Sequence, residues 1–250
     1  MNHYTILMVG HNSLNWISNS LTSALHQEHS NFDVIAIDAM TDDGTYDFLT
    51  EQENKHDNLT VIRNEKRKYQ TQNIYEGSRM AKDDSIIVTL DFDDWFPHTE
   101  VLKTLDKYYD DNVWMTYGSY YKTSNGTIVG HGRYTDDAIE ENRFREADGE
   151  SKSYGLRATH LRTFRRNLIL NINMDDFIDE DGEWFKAAGD LTFMWPMLEM
   201  SGKRFKFIPE PLYVYNEGNE NSDWVQVPHE QLRIEAMLKN RKPYERLEHL

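Results

Sequence analysis

The stretch Ser85-Ile-Ile-Val-Thr-Leu-Asp-Phe-Asp-Asp-Trp95 joins an apolar run to a cluster of acids. Residues 86–90 are apolar or β-branched, and Asp91, Asp93 and Asp94 follow them directly. A short apolar run that ends in polar turn residues is typical of a buried β-strand. In an open α/β sheet, ligands bind beyond the carboxyl ends of the strands. The acids therefore stand where a binding site is expected.

Carboxylates this close together repel one another when ionised, and they are costly to bury unpaired. A hard divalent cation such as Mg²⁺ or Mn²⁺, itself carrying phosphates, removes that cost. We predict a metal–diphosphate site, with Asp93 on the metal and Asp91 on the metal or on a nucleotide ribose. The alternative is a strand-end turn with solvated acids, in which Asp94 caps a helix that opens near Pro97.

Apolar strand patterns alternate with helical patterns through the first hundred residues. Strands are predicted at 5–9, 32–37, 59–63 and 86–90, and helices at 14–26, 46–51 and 70–81. This alternation predicts an α/β fold with a Rossmann-like, mostly parallel sheet flanked by helices. Polar residues follow the first, second and fourth strands: His11 and Asn12, Asp38, and the acid cluster. We expect them at one edge of the sheet.

The second half of the chain has a less regular pattern. Helices are predicted at 100–109, 191–200 and 229–239, and strands at 114–120, 205–208 and 212–215. Asn125-Gly126 is a hairpin signal, and 157–171 is a basic loop followed by a helix. We predict one domain over 1–218, with a change of character near residue 97, and a C-terminal helical extension over 219–250.

Composition excludes several classes of protein. The chain has 250 residues, no cysteine and a formal net charge of −16. That charge opposes loose binding to nucleic acid or an anionic membrane, and the missing cysteine excludes disulfides and thiolate metal sites. No run approaches the ~18 apolar residues of a membrane span, and residues 1–10 have no basic region of the kind that opens a signal peptide. A soluble, cytoplasmic protein is the expectation.

Several residues outside the acid cluster are candidates for chemistry. Asp190 precedes a predicted helix, where it is either a plain N-cap or a general base, and Trp184 nearby offers an apolar platform for a sugar face. Asp38 is either a turn residue or an acceptor for a base or ribose. His229 is either a surface residue or a metal ligand. The run Arg157, His160, Arg162, Arg165 and Arg166 is either a charged surface or a clamp for a diphosphate.

Four segments resemble glycosyltransferase family 2, the GT-A nucleotide-sugar transferases. They are Tyr4-Thr-Ile-Leu-Met-Val-Gly-His-Asn12, Asn31-Phe-Asp-Val-Ile-Ala-Ile-Asp38, Val61-Ile-Arg-Asn64 and Leu90-Asp-Phe-Asp-Asp-Trp-Phe96. Asp190 falls where the family has its catalytic base, and Pro211-Leu-Tyr-Val-Tyr-Asn216 is similar to a late strand of many members. The last residues, 237–244, look like small viral or phage-type relatives, for which the location would be the host cytoplasm.

The resemblance implies a GT-A fold and a metal-dependent, inverting hexosyl transfer. It makes 1–97 the nucleotide-binding half and 98–218 the acceptor half. It implies a UDP-sugar donor, Mn²⁺ or Mg²⁺, and a glycan or other hydroxyl acceptor. The predicted donor-binding residues are His11, Asn12, Asp38, Arg63, Asp91, Asp93 and Arg157. The acceptor would lie against Trp184, Phe185 and the Tyr154–His160 loop, including His160.

Three departures from the family pattern stand out. Ala39 follows Asp38 where the family has a second acid, Glu65-Lys-Arg-Lys68 replaces a glycine-rich stretch, and Gly189 replaces the acid before the base. The rival hypotheses are a haloacid-dehalogenase-like phosphohydrolase, a sugar nucleotidyltransferase and a non-catalytic carbohydrate-binding protein. The acids follow the fourth strand rather than the first, and residue 95 is Trp, both of which oppose the phosphohydrolase.

Overall fold

A computed structural model of the chain describes residues 1–146, 156–220 and 226–250. The strands within these ranges are β1 (Tyr4–Gly10), β2 (Phe32–Asp38), β3 (Leu59–Arg63), β4 (Ile86–Asp91), β5 (Met115–Lys122), β6 (Ile128–Val129), β7 (Thr163–Arg165) and β8 (Phe205–Tyr215). They form one sheet in the order β3-β2-β1-β4-β7-β5-β6, with β8 paired to β5.

Helices cover both faces of this sheet. They are α1 (Leu14–Leu25), α2 (Thr45–Glu53), α3 (Gln70–Met80), α4 (Val101–Asp106), α5 (Asp136–Glu140), α6 (Arg166–Leu170), α7 (Gly189–Ser201) and α8 (Pro228–Lys239), with a 3-10 helix at Met174–Phe177. Two clusters of buried apolar side chains fill the space between helices and sheet. Strands buried on both faces are typical of parallel sheets in α/β proteins.

The first four strands are parallel, as the alternation of patterns predicts. Register places Gly10 beside Asp38 on one side of β1, and Val9 beside Asp91 on the other. The carboxyl ends of β1, β2 and β4 therefore meet at one edge of the sheet. This confirms the expectation that the polar segments after these strands lie together.

The second half of the sheet departs from the prediction at two strands. The short strand β7 lies antiparallel between β4 and β5, inside the segment expected to be a loop before a helix. β8 is one continuous strand through Pro209 and Pro211, and its parallel pairing with β5 shifts register at Gly118/Ser119 and Ser119/Tyr121. Proline has no N–H for the ladder, so a strand that contains it pairs irregularly. The predicted hairpin does join β5 to β6.

The C-terminal segment packs into the domain. Ile234 and Leu238 of α8 belong to the core cluster that contains α7. Buried Arg145 donates to Glu199 at 2.5 and 2.8 Å, and to the carbonyl oxygen of Leu238 at 2.7 Å. The backbone N–H of Tyr244 donates to the same Glu199 at 3.0 Å. Within the described ranges, no helix has the length and apolar character that a bilayer crossing requires.

Candidate active site

A cleft of about 240 Å³ opens at the carboxyl edge of the parallel strands. Its wall contains the ends of β1 and β4, the segment between β3 and α3, the start of α7 and Gln231 of α8. The polar side chains that line it are His11, Ser13, Arg67, Lys68, Tyr69, Gln70, Asn73, Asp91, Asp93, Asp94, His160, Arg162, Asp190, Tyr215, Asn219 and Gln231.

A larger cavity of about 710 Å³, the side cavity, adjoins the cleft. The two share His160, Arg162, Ala188, Asp190, Tyr215 and Gln231. The residues that line only the side cavity are Tyr120, Lys122, Val129, His131, Leu156, Thr159, Leu191, Asn216, Glu217 and Glu235. Asp190 therefore stands at the boundary between two spaces, one containing the acids after β4 and the other lined by β5, β8 and α8.

The acids after β4 are oriented by the residue between them. Phe92 is fully buried, whereas Asp91 and Asp93 on either side of it line the cleft. The ring of Phe92 lies against Gly10, where an added Cβ would be only 2.4 Å from the Cβ of Phe92. Only glycine permits this approach of β1. Burial of Phe92 thus leaves both carboxylates at the opening.

Both carboxylates are held by amide donors. Gln70 donates to Asp91 at 3.1 Å, and Asn219 donates to Asp93 at 2.7 Å. Burial raises the pKa of Asp91 to about 7, and the nearby Asp93 adds to this rise. Burial also raises the pKa of Asp93. The two groups are therefore costly to keep ionised side by side, and a bound cation would relieve that cost.

Asp94 has a different role from the expected helix cap. It is 1% exposed, and it accepts hydrogen bonds from the backbone N–H of Asn216 at 2.7 Å and the hydroxyl of Tyr213 at 2.6 Å. The next helix begins only at Val101. Asp94 thus ties the acid loop to the end of β8. Burial, followed by the charges of Asp93 and Asp91, holds the pKa of the Asp94 carboxyl well above its usual range.

The acids fit a cation that brings its own oxygen ligands. The described residues contain no group of three or more His, Cys, Asp and Glu side chains arranged to hold a metal by themselves. Mg²⁺ in nucleotide enzymes is typically held by one or two carboxylates together with substrate phosphates and water. Asp91 and Asp93 match that requirement. His229 is exposed at the start of α8 and lines neither the cleft nor the side cavity.

Two of the cationic side chains in the cleft come from the segment 65–68, to which the sequence analysis gave no role. Arg67 and Lys68, between β3 and α3, line the cleft with Asp91 and Asp93. Lys68 also pairs with Glu76 at 2.7 Å. The available signal was the Lys-Arg-Lys run itself, since it follows a parallel strand and so must lie at the ligand-binding edge.

The other predicted donor residues are divided between the cleft and its surroundings. His11 lines the cleft and its Nδ1 lies 3.0 Å from the carbonyl oxygen of Ala39. Asn12 instead exchanges hydrogen bonds with Asp42. Asp38 is fully buried, with Arg63 at 3.6 Å, and neither lines the cleft. In the described structure, then, Asn12, Asp38 and Arg63 shape the loops behind the cleft.

Asp190 is presented by a helix that is otherwise buried. Every residue of α7 from Gly189 to Ser201 is buried except Asp190. The helix follows Ala188, which has a left-handed backbone with φ of 51°. Buried Arg162 donates to Asp190 Oδ2 at 2.6 Å and to the carbonyl oxygen of Ala158 at 3.0 Å. The carboxylate is therefore fixed in direction, and it is partly exposed to both spaces.

The predicted acceptor aromatics lie elsewhere in the fold. Phe185 is 1% exposed in the core, and Trp184 packs against Tyr75 and Phe177, so neither lines the cleft or the side cavity. The acidic segment 175–189 shows no periodic apolar pattern, so the sequence did not indicate which of its aromatic side chains would be buried. His160 does line both spaces, stacked on Tyr213 with ring centroids 4.4 Å apart. Burial lowers its pKa well below the usual value.

Arg157 and Tyr154 complete the predicted set. Arg157 donates from its side chain to the carbonyl oxygen of His131 and lines neither space. Tyr154, part of the expected acceptor loop, lies outside the described residues. Arg165 and Arg166 donate to backbone carbonyl groups, those of Val113 and Ser78 among them, so within the predicted basic run the cleft receives only His160 and Arg162.

Comparison with known families identifies this architecture. The family model described as glycosyl transferase family 2 matches residues 5–172, more than half of the chain. The chain belongs to glycosyl transferase family 2. Comparison with curated proteins gives no significant match.

Solved structures of similar fold are GT-A glycosyltransferases. S. aureus TarS 1–349 in complex with UDP-GlcNAc has a TM-score of 0.67 and 15% identity, over 94% of this chain and 65% of that one. The mannosyltransferase PcManGT from Pyrobaculum calidifontis, in complex with GDP-Man and Mn²⁺, has a TM-score of 0.63 and 17% identity, over 98% and 66%. Against the longer TarS structure, the match covers only 39% of that protein. The GT-A fold is thereby shown.

One departure of this chain from the pattern of its family has a structural consequence. Gly189 stands where the family usually has an acid, and a Cβ there would lie 2.7 Å from Oε1 of Gln70 and 3.0 Å from Oγ1 of Thr71. The same Gln70 donates to Asp91. A side chain at position 189 would displace the amide end of Gln70, so glycine leaves in place the donor that holds this carboxylate.

Proposed function

We propose that this chain is a metal-dependent, inverting glycosyltransferase. It would move a hexosyl group from a nucleoside diphosphate donor, with UDP as the nucleotide, to an acceptor hydroxyl. The observation that carries the proposal is the placement of Asp91 and Asp93 in one cleft with Arg67 and Lys68, with Asp190 at the boundary to the side cavity. Family membership supports the reaction class.

The cleft supplies what a diphosphate donor needs. Arg67 and Lys68 are suited to the phosphate oxygens, since Arg and Lys form strong charge-assisted hydrogen bonds with phosphate. Asp91 and Asp93 would hold Mn²⁺ or Mg²⁺, which when bound neutralises the charge of the departing diphosphate. His11 and Ala39 line the same cleft and would contact the nucleotide. Relatives captured with UDP, UDP-GlcNAc and GDP-Man support the same class of donor.

Asp190 would act as the general base. It accepts the proton of the acceptor hydroxyl as that oxygen forms a bond with the anomeric carbon. The bond from the anomeric carbon to the diphosphate breaks at the same time, and its electron pair leaves with the diphosphate. Attack from the side opposite the leaving group inverts the configuration at that carbon. Arg162 keeps the Asp190 carboxylate pointed at the boundary between the two spaces.

A thermal-shift titration tests the donor site. A ligand that binds only the folded state raises the melting temperature. UDP, GDP and their hexose conjugates are compared with and without Mn²⁺, on the wild type, Asp93→Ala and, as a matched control, Asp181→Asn at an exposed loop position. We expect metal-dependent stabilisation in the wild type and in the control, and none in Asp93→Ala. Equal, metal-independent shifts in all three proteins would overturn the metal assignment.

A further inference from the structure

The side cavity is lined by a buried side chain whose amide donor has no hydrogen-bond partner in the part of the chain that the structure describes. Asn216 is 5% exposed and lines this cavity. Its Oδ1 accepts a hydrogen bond from the backbone N–H of Gly218 at 2.9 Å, but its Nδ2 has no hydrogen-bond partner among the described residues. Buried polar groups are nearly always hydrogen-bonded, so each exception requires an explanation. This Nδ2 is shielded from solvent, but Asn216 lines the side cavity, so a rotation of its side chain would bring the amide to a ligand oxygen there.

Aromatic rings lie beside this donor. Tyr120 and Tyr215 both line the side cavity, with ring centroids 5.5 Å apart and ring planes at 60°. Tyrosine presents an apolar face together with a polar hydroxyl, a combination that suits a ring-shaped ligand carrying hydroxyl groups. The cavity volume of about 710 Å³ lies within the roughly 300–1,000 Å³ of small-molecule sites.

Among the residues that the structure describes, the Lys, Arg and Glu side chains around the side cavity are compensated in pairs. Lys122 contacts Glu217 at 2.6 Å, Arg162 contacts Asp190 at 2.6 Å, and Glu235 contacts Lys239 at 2.6 Å. Burial and the neighbouring Arg157 lower the pKa of His131, which disfavours a positive charge on this residue. An acceptor that carries phosphate or carboxylate groups needs Arg or Lys side chains available to pair with it.

We infer that the side cavity binds the acceptor as an uncharged saccharide, with Asn216 donating to one of its oxygens and Tyr120 and Tyr215 packing against its ring. The inference rests on the proposed function, because the saccharide hydroxyl next to Asp190 is the group that attacks the donor. That hydroxyl loses its proton to Asp190 and forms the new bond to the anomeric carbon, while the nucleoside diphosphate leaves with the bonding electron pair.

An acceptor panel tests the charge preference. Release of nucleoside diphosphate from the donor found by thermal shift is measured with 4-nitrophenyl hexosides, and separately with hexose phosphates and glucuronides of matched stereochemistry. We expect saturable acceleration by at least one uncharged hexoside, and at least about tenfold lower kcat/KM with its anionic counterpart. Equal or better use of the anionic acceptors, or no acceleration by any uncharged hexoside, would overturn the inference.

Variants test the assigned residues. Asn216→Ala should raise the acceptor KM about tenfold, the effect of losing one good hydrogen bond, with donor affinity unchanged. Tyr120→Ala should raise it as well, whereas Tyr121→Ala, at the neighbouring β5 position that lines neither space, should not. Tyr120→Phe keeps the ring and removes only the hydroxyl, so it is the variant to use if Asn216→Ala unfolds. We expect it to raise the acceptor KM a few-fold and to leave kcat unchanged. Unchanged acceptor KM in Tyr120→Ala and in folded Asn216→Ala would overturn the assignment.

The two hypotheses fail differently. If no nucleotide sugar stabilises the protein or is consumed, the proposed function itself is wrong, and the acceptor assignment falls with it. If a donor binds with metal and is consumed, but transfer favours anionic acceptors or ignores Asn216 and Tyr120, only the acceptor inference is wrong.

Discussion

The two halves of the molecule are built from contacts of different range. In residues 4–91, each strand pairs with a parallel neighbour that the alternation of local patterns already places. In residues 115–215, the pairing depends on β7, which has three residues, and on a long β8 with register shifts. The proposed donor side of the cleft follows from local pattern, whereas the proposed acceptor side depends on contacts between distant segments. Substitutions on either side can test this contrast.

The largest loss of transfer activity is expected from substitution of Asp190, which lies at the boundary between the cleft and the side cavity. Asp190→Asn keeps the shape of the side chain but removes the proton acceptor, so transfer should fall about 10²- to 10⁴-fold. Donor binding, measured by the metal-dependent thermal shift, should be unchanged because the donor site belongs to the first half. Asp181→Asn, at an exposed position, is the control. Substantial transfer by Asp190→Asn would remove the base assignment.

The next effect concerns the stability of the second half. Arg145→Ala leaves the fully buried Glu199 without its cation, and removing one partner of a buried pair costs about 3–5 kcal/mol. Arg143→Ala breaks pairs with the exposed Glu141 and Glu146 and should cost no more than about 1 kcal/mol. Denaturant unfolding measures both. Similar losses for the two variants would mean that the Arg145 contacts do not anchor the C-terminal segment.

A smaller effect is expected from the basic segment after β3. Arg67→Ala removes a charged donor from the cleft, and hydrogen bonds to charged groups contribute about 1.5–3 kcal/mol, so donor affinity should fall about ten- to hundredfold. Lys66→Ala removes the same charge from an exposed neighbour that does not line the cleft. The affinity of each variant for nucleoside diphosphate is measured by titration in the presence of Mn²⁺. Equal weakening in both variants would indicate a general electrostatic effect instead of a phosphate contact.

The smallest effect is a pH dependence in the metal-free protein. Burial raises the pKa of Asp91 to about 7, above its value of about 3.9 in an unfolded chain. The folded state therefore binds the proton more tightly, and this contribution to stability, complete below about pH 4, is lost as pH rises through about 7. Asp91→Asn removes the dependence.

Melting temperatures measured in a chelator test this point. The melting temperature of Asp91→Asn minus that of the wild type should increase by a few degrees between pH 5 and pH 8. The corresponding difference for Asp181→Asn should stay constant over the same range. A constant difference for Asp91→Asn would show that this carboxyl is not held near neutral pKa by its surroundings.

Sequence reasoning succeeded where a periodic pattern decides the structure. The strand before Asp91 and the meeting of three strand ends followed from apolar runs and from the geometry of parallel sheets. The same reasoning missed β7, because three residues are too short to show a period. It placed Trp184 and Phe185 on the acceptor side, although Trp184 packs against Tyr75 and Phe185 against the C-terminal Arg241, both of which are distant in the chain.

The site shows the same division. Asp91, Asp93 and Asp190 were predicted from short motifs and lie in one cleft. Nothing in the sequence singled out Asn216. Its side-chain amide lacks a hydrogen-bond partner among the described residues only because the fold brings the end of β8 to Asp94, which accepts a hydrogen bond from the backbone N–H of Asn216. A polar side chain becomes a candidate for ligand binding through what surrounds it, and that information is absent from a local pattern.

The contact between Gly189 and Gln70 makes two distant positions mutually dependent. A side chain at 189 would displace the amide end of Gln70, and that amide donates to Asp91. A substitution at 189 is therefore expected to act on the Asp91 carboxylate through Gln70. Engineering that adds a side chain at position 189 should vary residue 70 in the same library.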